Sequence, residues 1–353
     1  MRIAVDAMGG DFTPAVSLEA VKEALDMYPD VEILYVGHKE KLAYYMEKAR
    51  MTESDRLKIV HAETVVEMGE SSTLAIRSKK NSSITVCTTL VSEGLADGVV
   101  SPGHTGAAVA ASKVRMRMVP GVDRPCIGSI MPNIDGKWIL ADAGANTECT
   151  PLNLAQFAVM GELYAIHGLG LKNPRIGLLS VGGEDVKGND LTKGAFKILS
   201  QLPINFLGNV EGHDTFMGGC DVVVCDGFVG NVMLKSCESL ARATFHWMNL
   251  ALRKNALRLT GALLAKDAFR EIKAISDSDE YGGAPLLGIN GICIIGHGSS
   301  TPKAIRNAIR VANEFAIQRV PQKISEKIYK CGIEKESYAE KWAPIVEKKS
   351  TGL

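Results

Sequence analysis

Residues 221–245, DVVVCDGFVGNVMLKSCESLARATF, decide the fold class. Val222, Val223, Val224 and Cys225 form an unbroken apolar run rich in β-branched side chains, as in a strand covered on both faces of a parallel sheet. Asp226 and Gly227 break the run, and from Asn231 onward Val232, Met233, Leu234 and Leu240 suit a helix with an apolar stripe. Strand, glycine loop, helix is the order that binds ligands at the carboxyl ends of parallel strands, beside helix N-termini. A lone GxxGN also fits an ordinary strand-to-helix turn, so the rest of the chain has to weigh in.

The same order recurs. Residues 3–5 read as a strand ending at Asp6 and Gly9-Gly10, and Pro14 suits the first turn of a helix to about residue 25. VEILYVG (31–37) and RLKIVHA (56–62) are strands around the helical KEKLAYYMEKA (39–49). The polar segment 63–83 carries Arg77, Lys79 and Lys80 at a helix end, either a solvated face or an anion contact. SITVCTTLVSEG (83–94) fits helix or strand by pattern. Val99 and Val100 end a strand before the loop SPGHTG, and small residues at 107–111 begin a helix. Residues 139–141 lead through Asp142 and GAN to a Thr150-Pro151 helix start, and residues 176–181 lead through GGEDVKGND to a helix from about Leu191. YGGAPLLGINGICII (281–295) reads as a hairpin-like pair, GHGSST follows, and a helix opens at Pro302. Right-handed crossovers predict that these glycine loops converge on one sheet edge. The Lys-rich C-terminus reads as a surface helix and frayed tail.

Composition narrows the classes. With 353 residues, 46% hydrophobic but only 6% aromatic, and 35 glycines, the chain suits a glycine-rich α/β enzyme with an aliphatic core. Forty basic residues balance 40 acidic ones, so no global field draws in nucleic acid. The eight cysteines are scattered without a CxxC pair, which favours reduced thiols in the cytosol, and no apolar run has the ~18 residues of a spanning helix. We expect one α/β unit over residues 1–353, with room for two lobes.

Within it, residues 240–275 are expected to project as a helical hairpin, with a pair of helical segments around 254–260. Leu257, Leu259, Leu263 and Leu264 look exposed beside Arg253, Lys254, Arg258 and Lys266. Such a surface suits either an anionic membrane or a subunit interface.

The chain lacks GxxxxGK[ST], GxGxxG after a strand, GxSxG, HExxH and any metal-spaced His/Cys cluster. What remains are N–H-rich loops with a few basic and amide side chains: Lys187 with Asn189, Asn231 with Lys235, His104 with Thr105, and His297 with Ser299 and Ser300. Such loops bind an oxyanion and stabilise developing negative charge. They supply no nucleophile, so the substrate would have to be one, and phosphate fits. Cys225, at the end of a buried run, reads as a packing thiol, and Asp226 as a loop ligand or positioning group.

MRIAVDAMGGD, IVHAETVVEM, SPGHTGA, GANTECTP, GGEDVKGNDLTK, FLGNVEG, DVVVCDGFVGNVMLKS and GGAPLLGINGICIIGHGSS together resemble the PlsX family of bacterial phosphate acyltransferases, in family order from residue 1 to about 316. The resemblance implies transfer of a long-chain acyl group from acyl carrier protein to inorganic phosphate. The acyl-phosphate would pass to a membrane glycerol-3-phosphate acyltransferase for phospholipid synthesis. It also implies a mostly parallel sheet sandwiched by helices, as in the isocitrate and isopropylmalate dehydrogenases and phosphate acetyltransferases. A cytoplasmic homodimer touching the membrane peripherally, without metal or cofactor, completes the expectation.

The family's activity-linked lysine and asparagine fall on Lys187 and Asn231. The surrounding loops give the expected substrate-binding set His104, Thr105, Gly106, Asn146, Asn189, Asp226, Gly230, His297 and Ser299. His104 stands where the family usually has asparagine, and Glu148 where it has aspartate. The nearest rival reading is a short-chain phosphate acetyl- or butyryltransferase using acyl-CoA. A metal-dependent hydroxyacid dehydrogenase relative and a non-catalytic anion-binding regulator are more distant ones.

Overall fold

The computed structural model describes residues 1–67, 69–275 and 278–347. The N-terminal part runs β1 (Arg2–Asp6), α1 (Ala15–Met27), β2 (Glu32–Gly37), α2 (Lys39–Lys48), β3 (Leu57–His61), α3 (Ser72–Ser78), α4 (Ser83–Ser92), β4 (Gly98–Ser101) and α5 (Thr105–Arg115). The middle runs β5 (Cys126–Asn133), β6 (Gly136–Ala141), α6 (Pro151–Leu169), β7 (Ile176–Leu179), α7 (Asp190–Leu199), β8 (Phe206–Val210), α8 (Gly212–Phe216) and β9 (Val222–Val224). Then come α9 (Gly227–Leu252), α10 (Ala256–Leu264), α11 (Lys266–Ile275), β10 (Ala284–Leu287), β11 (Ile292–Ile295), α12 (Pro302–Ile317), α13 (Val320–Cys331), α14 (Tyr338–Lys341) and α15 (Ala343–Glu347). The ambiguous segment 83–94 is thus helical.

All strands join one 11-stranded sheet in the order β3-β2-β1-β4-β11-β10-β5-β6-β9-β7-β8. Pairing is parallel at both ends and antiparallel at β11-β10, β10-β5 and β5-β6. That centre corrects the expectation of one common edge. Three antiparallel steps reverse the strand direction, so β1 to β4 with β11 run one way and β6, β9, β7 and β8 the other. The hairpin β10-β11 comes from the C-terminal third and inserts beside β4 and β5, a pairing that local periodicity does not encode.

Period-2 alternation splits the core between the two faces of the sheet. Val222 and Val224 join one buried cluster with α1, α6, α12 and α13, while Val223 joins a second with α4 and α5. All three valines are fully buried, so β9 is the strand covered on both faces that the apolar run predicts. In β1, Ile3 and Val5 lie on the first face and Ala4 on the second.

Two local expectations change. Helix α9 starts at Gly227 rather than Asn231 and runs unbroken to Leu252, so the expected pair of helical segments is the end of α9 followed by α10 and α11. The C-terminus is more than a surface helix. Val320, Ile324 and Ile328, four residues apart, bury one face of α13 against α6, a stripe that the lysines between them obscure. Trp342 is 2% exposed, and its Nε1 donates to the Gly332 carbonyl at 2.6 Å. Trp342→Ala is therefore expected to lower the free energy of unfolding by about 3–5 kcal/mol in urea titrations. A loss under about 1 kcal/mol would show that the C-terminal segment contributes no core.

Candidate active-site cleft

The cleft is built where the end of β6 meets the start of α9. The strands β6 and β9 are tied just past their ends by Cys225 N–H to the Ala141 carbonyl (2.8 Å) and Asp142 N–H to the Cys225 carbonyl (3.0 Å). The chain then turns into α9, whose N-cap is Asp226: its Oδ1 accepts from Val229 N–H at 2.9 Å. Gly227 donates to the Asn146 carbonyl at 2.8 Å, and a Cβ there would lie 2.6 Å from that oxygen. A Cβ at Gly230 would collide with the Asp142 carbonyl oxygen. Glycine is thus required at 227 and 230 because the first turn of α9 presses on the 142–146 backbone, and this contact delivers Asn231 against Gly144.

That loop is itself fixed by one buried carboxylate. Asp142 is wholly buried, and its Oδ1 accepts from the N–H groups of Ile127 (3.0 Å), Gly144 (3.1 Å) and Ala145 (3.0 Å). Its Oδ2 accepts from the backbone N–H and side-chain amide of Asn146, both at 2.8 Å. Burial pushes the Asp142 carboxyl up from its ordinary value, while these donors pull it back. The other half repeats the device. Asp6 at the end of β1 accepts from Met8 N–H (3.2 Å), Gly9 N–H (3.0 Å) and Ser101 Oγ (2.8 Å), with burial again raising it.

Loops from both halves meet in a cleft of about 1260 Å³. Thr105 and Gly106 line it at the start of α5, Gly144 and Ala145 after β6, Asn231 and Lys235 on α9, and His297, Ser299 and Ser300 before α12. The N-termini of α5 and α12 lie at or next to these residues, and the N–H groups of Thr105 and Gly106 in the first turn of α5 favour an anion, whereas the start of α9 is capped by Asp226 and packed on the 142–146 backbone. Among the described residues, no group of three or more His, Cys, Asp or Glu side chains is placed to hold a metal ion.

The structure sorts the expected site residues by what their side chains already do. Thr105, Gly106, Asn231, His297 and Ser299 share the cleft. His297 Nδ1 accepts from Ser299 N–H at 3.2 Å and lies 2.7 Å from its Oγ, which leaves Nε2 carrying the proton in the neutral ring. His104 caps α5: its Nδ1 accepts from Ala107 N–H (3.3 Å), and Nε2 donates to the Glu70 carbonyl (3.1 Å). Both ring nitrogens are engaged, so His104 orients Thr105 and Gly106 from behind. Asn146 is 7% exposed and spends its amide on Asp142 and the Pro125 carbonyl (2.6 Å).

Asn189 caps α7 through Thr192 N–H at 2.9 Å, and Lys187 is exposed on the loop after β7; neither lines the cleft. Gly230 is buried in the first turn of α9. Leu257, Leu259, Leu263 and Leu264 are 84%, 47%, 65% and 85% exposed, and Arg258 donates to the Ala251 carbonyl at 3.3 Å. Sequence reasoning passed over Ser72, Thr73, Lys113, Ser129, Gly144 and Ala145, which also line the cleft. The last two belong to the GAN motif at 144–146, whose signal is the small side chains that leave the backbone open to the cleft.

Cys225 is buried, and burial pushes its thiol well above the ordinary range; Cys149 is pushed up to about 12.

This fold, with a loop-lined cleft across its centre, is similar to that of solved phosphotransacylases. A phosphotransacetylase from Streptococcus pyogenes matches with a TM-score of 0.60 at 19% identity, over 90% of this chain and 94% of that one. A branched-chain phosphotransacylase from Enterococcus faecalis V583 matches with a TM-score of 0.53 at 14% identity, over 90% of this chain and 99% of that one. At the sequence level, the model of a family described as fatty acid synthesis protein matches residues 1–323. The phosphate acyltransferase of Halothermothrix orenii is 46% identical over 94% of this chain and 100% of its own length. That of Pelotomaculum thermopropionicum is 48% identical over 93% and 95%. The chain belongs to this phosphate acyltransferase family of fatty acid synthesis proteins.

Gly230→Ala is expected to cost about 1–3 kcal/mol in urea unfolding, because the helix start must move off the Asp142 carbonyl. A variant as stable as the parent would contradict the backbone contact. Iodoacetamide at pH 8 is expected to leave activity intact, since a thiol whose value is raised stays protonated and unreactive until pH climbs towards it. Inactivation coupled to alkylation of Cys225 would contradict its packing role.

Proposed function

We propose that this enzyme transfers an acyl group from a thioester to inorganic phosphate in the central cleft, releasing the thiol and an acyl-phosphate for phospholipid synthesis. The observation that carries the reading is that Thr105, Gly106, Gly144, Asn231 and His297, from both halves of the sheet, line one cleft with helix N-termini about it. A thioester is already activated, so the reaction asks for position and charge stabilisation more than for a protein nucleophile. An oxygen of hydrogen phosphate attacks the carbonyl carbon, the carbonyl oxygen takes up negative charge, and collapse breaks the C–S bond and expels the thiolate, which takes up the proton that the phosphate gives up. Asn231 and the N–H groups of Thr105 and Gly106 orient phosphate or the developing oxyanion, and His297 Nε2–H is a further donor. Lys187 lies outside the cleft lining, and its proposed part, offsetting phosphate charge, requires the exposed 180–189 loop to close toward the cleft when phosphate binds.

Acyl carrier protein is the proposed donor, and a membrane glycerol-3-phosphate acyltransferase the consumer of the product. The exposed leucines of α10 support a cytoplasmic enzyme that rests on the bilayer. No helix of the described residues is long and apolar enough to cross a membrane. A fully inserted leucine contributes ~1.5–3 kcal/mol and each nearby cation about 1 kcal/mol, enough for reversible contact. The exposed outer face of α9, with Leu240, Trp247 and Leu250, supports a homodimer. The fold shared with phosphotransacetylases favours a second reading, a short acyl-CoA donor.

Incubation with phosphate and either palmitoyl-carrier protein or acetyl-CoA, with hydroxylamine trapping, separates the two donors. Phosphate-dependent palmitoyl hydroxamate is the expected product; acetyl hydroxamate alone would select the second reading. Lys187→Ala and Asn231→Ala are each expected to lower turnover about a hundredfold with unchanged circular dichroism. Full activity in a folded variant would remove that residue from the reaction. Leu257→Glu with Leu264→Glu is expected to weaken co-sedimentation with anionic vesicles about tenfold or more. Unchanged sedimentation would assign these leucines to a subunit contact.

A further inference from the structure

The cleft is far larger than phosphate needs, and it extends away from the glycine loops along α9. Leu234, Ala241, Phe245, Met248 and Leu252 line it together with Asn231. Their spacing of three, four or seven residues places them on one face of the helix. Phe269 of α11 lines the same cleft, on the chain that returns from the α10 turn. Lys235, Glu238, Arg242 and Asn249 line the groove beside this apolar row, and the Glu238 carboxylate is engaged by Lys235 at 2.9 Å and Arg242 at 3.9 Å. Its charge is thus offset by cations on adjoining turns.

From Asn231 to Phe245 the helix rises roughly 21 Å. A membrane acyl chain spans about 15 Å, half of the ~30 Å hydrocarbon core. The groove thus has the length for a long acyl chain and an apolar row along it, flanked by polar side chains, and it is continuous with the loops that would hold the thioester and phosphate.

We propose that this face of α9, from Leu234 to Leu252 with Phe269 beside its far end, holds the linear acyl chain of the donor while the thioester carbonyl lies near Asn231. Ala241 then sits partway along the chain, and Phe245 and Met248 meet its distal carbons, which makes these positions the determinants of chain length. Past Leu252 the groove meets the turn into α10, whose exposed Leu257 and Leu264 lie at the end from which an insoluble product leaves. The assignment rests on the acyl-transfer reading and specifies where that substrate lies.

The test compares palmitoyl-, octanoyl- and butyryl-carrier protein as donors to phosphate, with the parent, Ala241→Trp, Phe245→Ala, and Leu240→Trp on the outer face of the same helix. Ala241→Trp is expected to lower the palmitoyl-to-butyryl turnover ratio about tenfold or more, because the indole fills the groove. Phe245→Ala is expected to raise preference for the longest chain, an opposite shift that a folding defect does not mimic. Leu240→Trp is expected to keep the parental ratio. If the parent forms no acyl-phosphate from any donor, the reaction assignment fails and the groove assignment with it. If the parent is active but Ala241→Trp and Phe245→Ala both leave the ratio within about twofold, the groove assignment alone is overturned. Equal loss with every donor in Ala241→Trp, with no shift of ratio in Phe245→Ala, also overturns it, because a filled groove must spare the butyryl donor.

Discussion

The structure depends on one buried carboxylate. Asp142 gathers five N–H donors from the start of β5 and from its own loop, and so fixes the backbone of residues 143–146. Such a group is costly to bury and stable only when its lone pairs are satisfied, which is why the whole turn is wound around it. The first turn of α9 then packs on that backbone through glycines 227 and 230, and Asn231 takes its place from the contact. Asp6 does the same for the Gly9 turn on the other half. The cleft lies between two loop systems that are each held from behind, so its donors are preorganised before any substrate arrives.

This arrangement explains why so few chemically assertive side chains are needed. Phosphate and a thioester bring their own nucleophile and leaving group, and the enzyme's part is to hold both and stabilise charge. Backbone N–H groups at helix starts do that without a metal or a protein nucleophile in the proposed step. In the proposed arrangement the helix that carries Asn231 continues along the groove to the α10 leucines. A single element would then join the proposed anion site, the proposed acyl groove and the surface proposed to face lipid.

Much of this was legible in the sequence, for identifiable reasons. The run 222–225 read as a doubly covered strand because nothing polar interrupts it, and the strand, loop, helix order recurred often enough to fix an α/β class. The start of α9 was misplaced because GFVG reads locally as a loop; its glycines answer to a tertiary contact that spacing does not display. The reversal of strand direction at the centre of the sheet was hidden for a similar reason, since it depends on β10 and β11 inserting far from their sequence neighbours. At the site, residue type alone could not separate side chains that face the cleft from those spent on the fold. His104, Asn146, Asn189 and Asp226 all look like ligand groups, yet each makes the hydrogen bonds of a cap or a buried network. Asn231, by contrast, has its place in the cleft lining.

The central claim is that phosphate itself attacks the thioester in this cleft. Phosphorus NMR of the enzyme with phosphate and palmitoyl-carrier protein, with released thiol followed in parallel, tests it most directly. The account predicts an acyl-phosphate resonance that grows in step with thiol release and is lost in Asn231→Ala. Thiol released without any new phosphorus signal would mean that water, not phosphate, is the acceptor, and would contradict it.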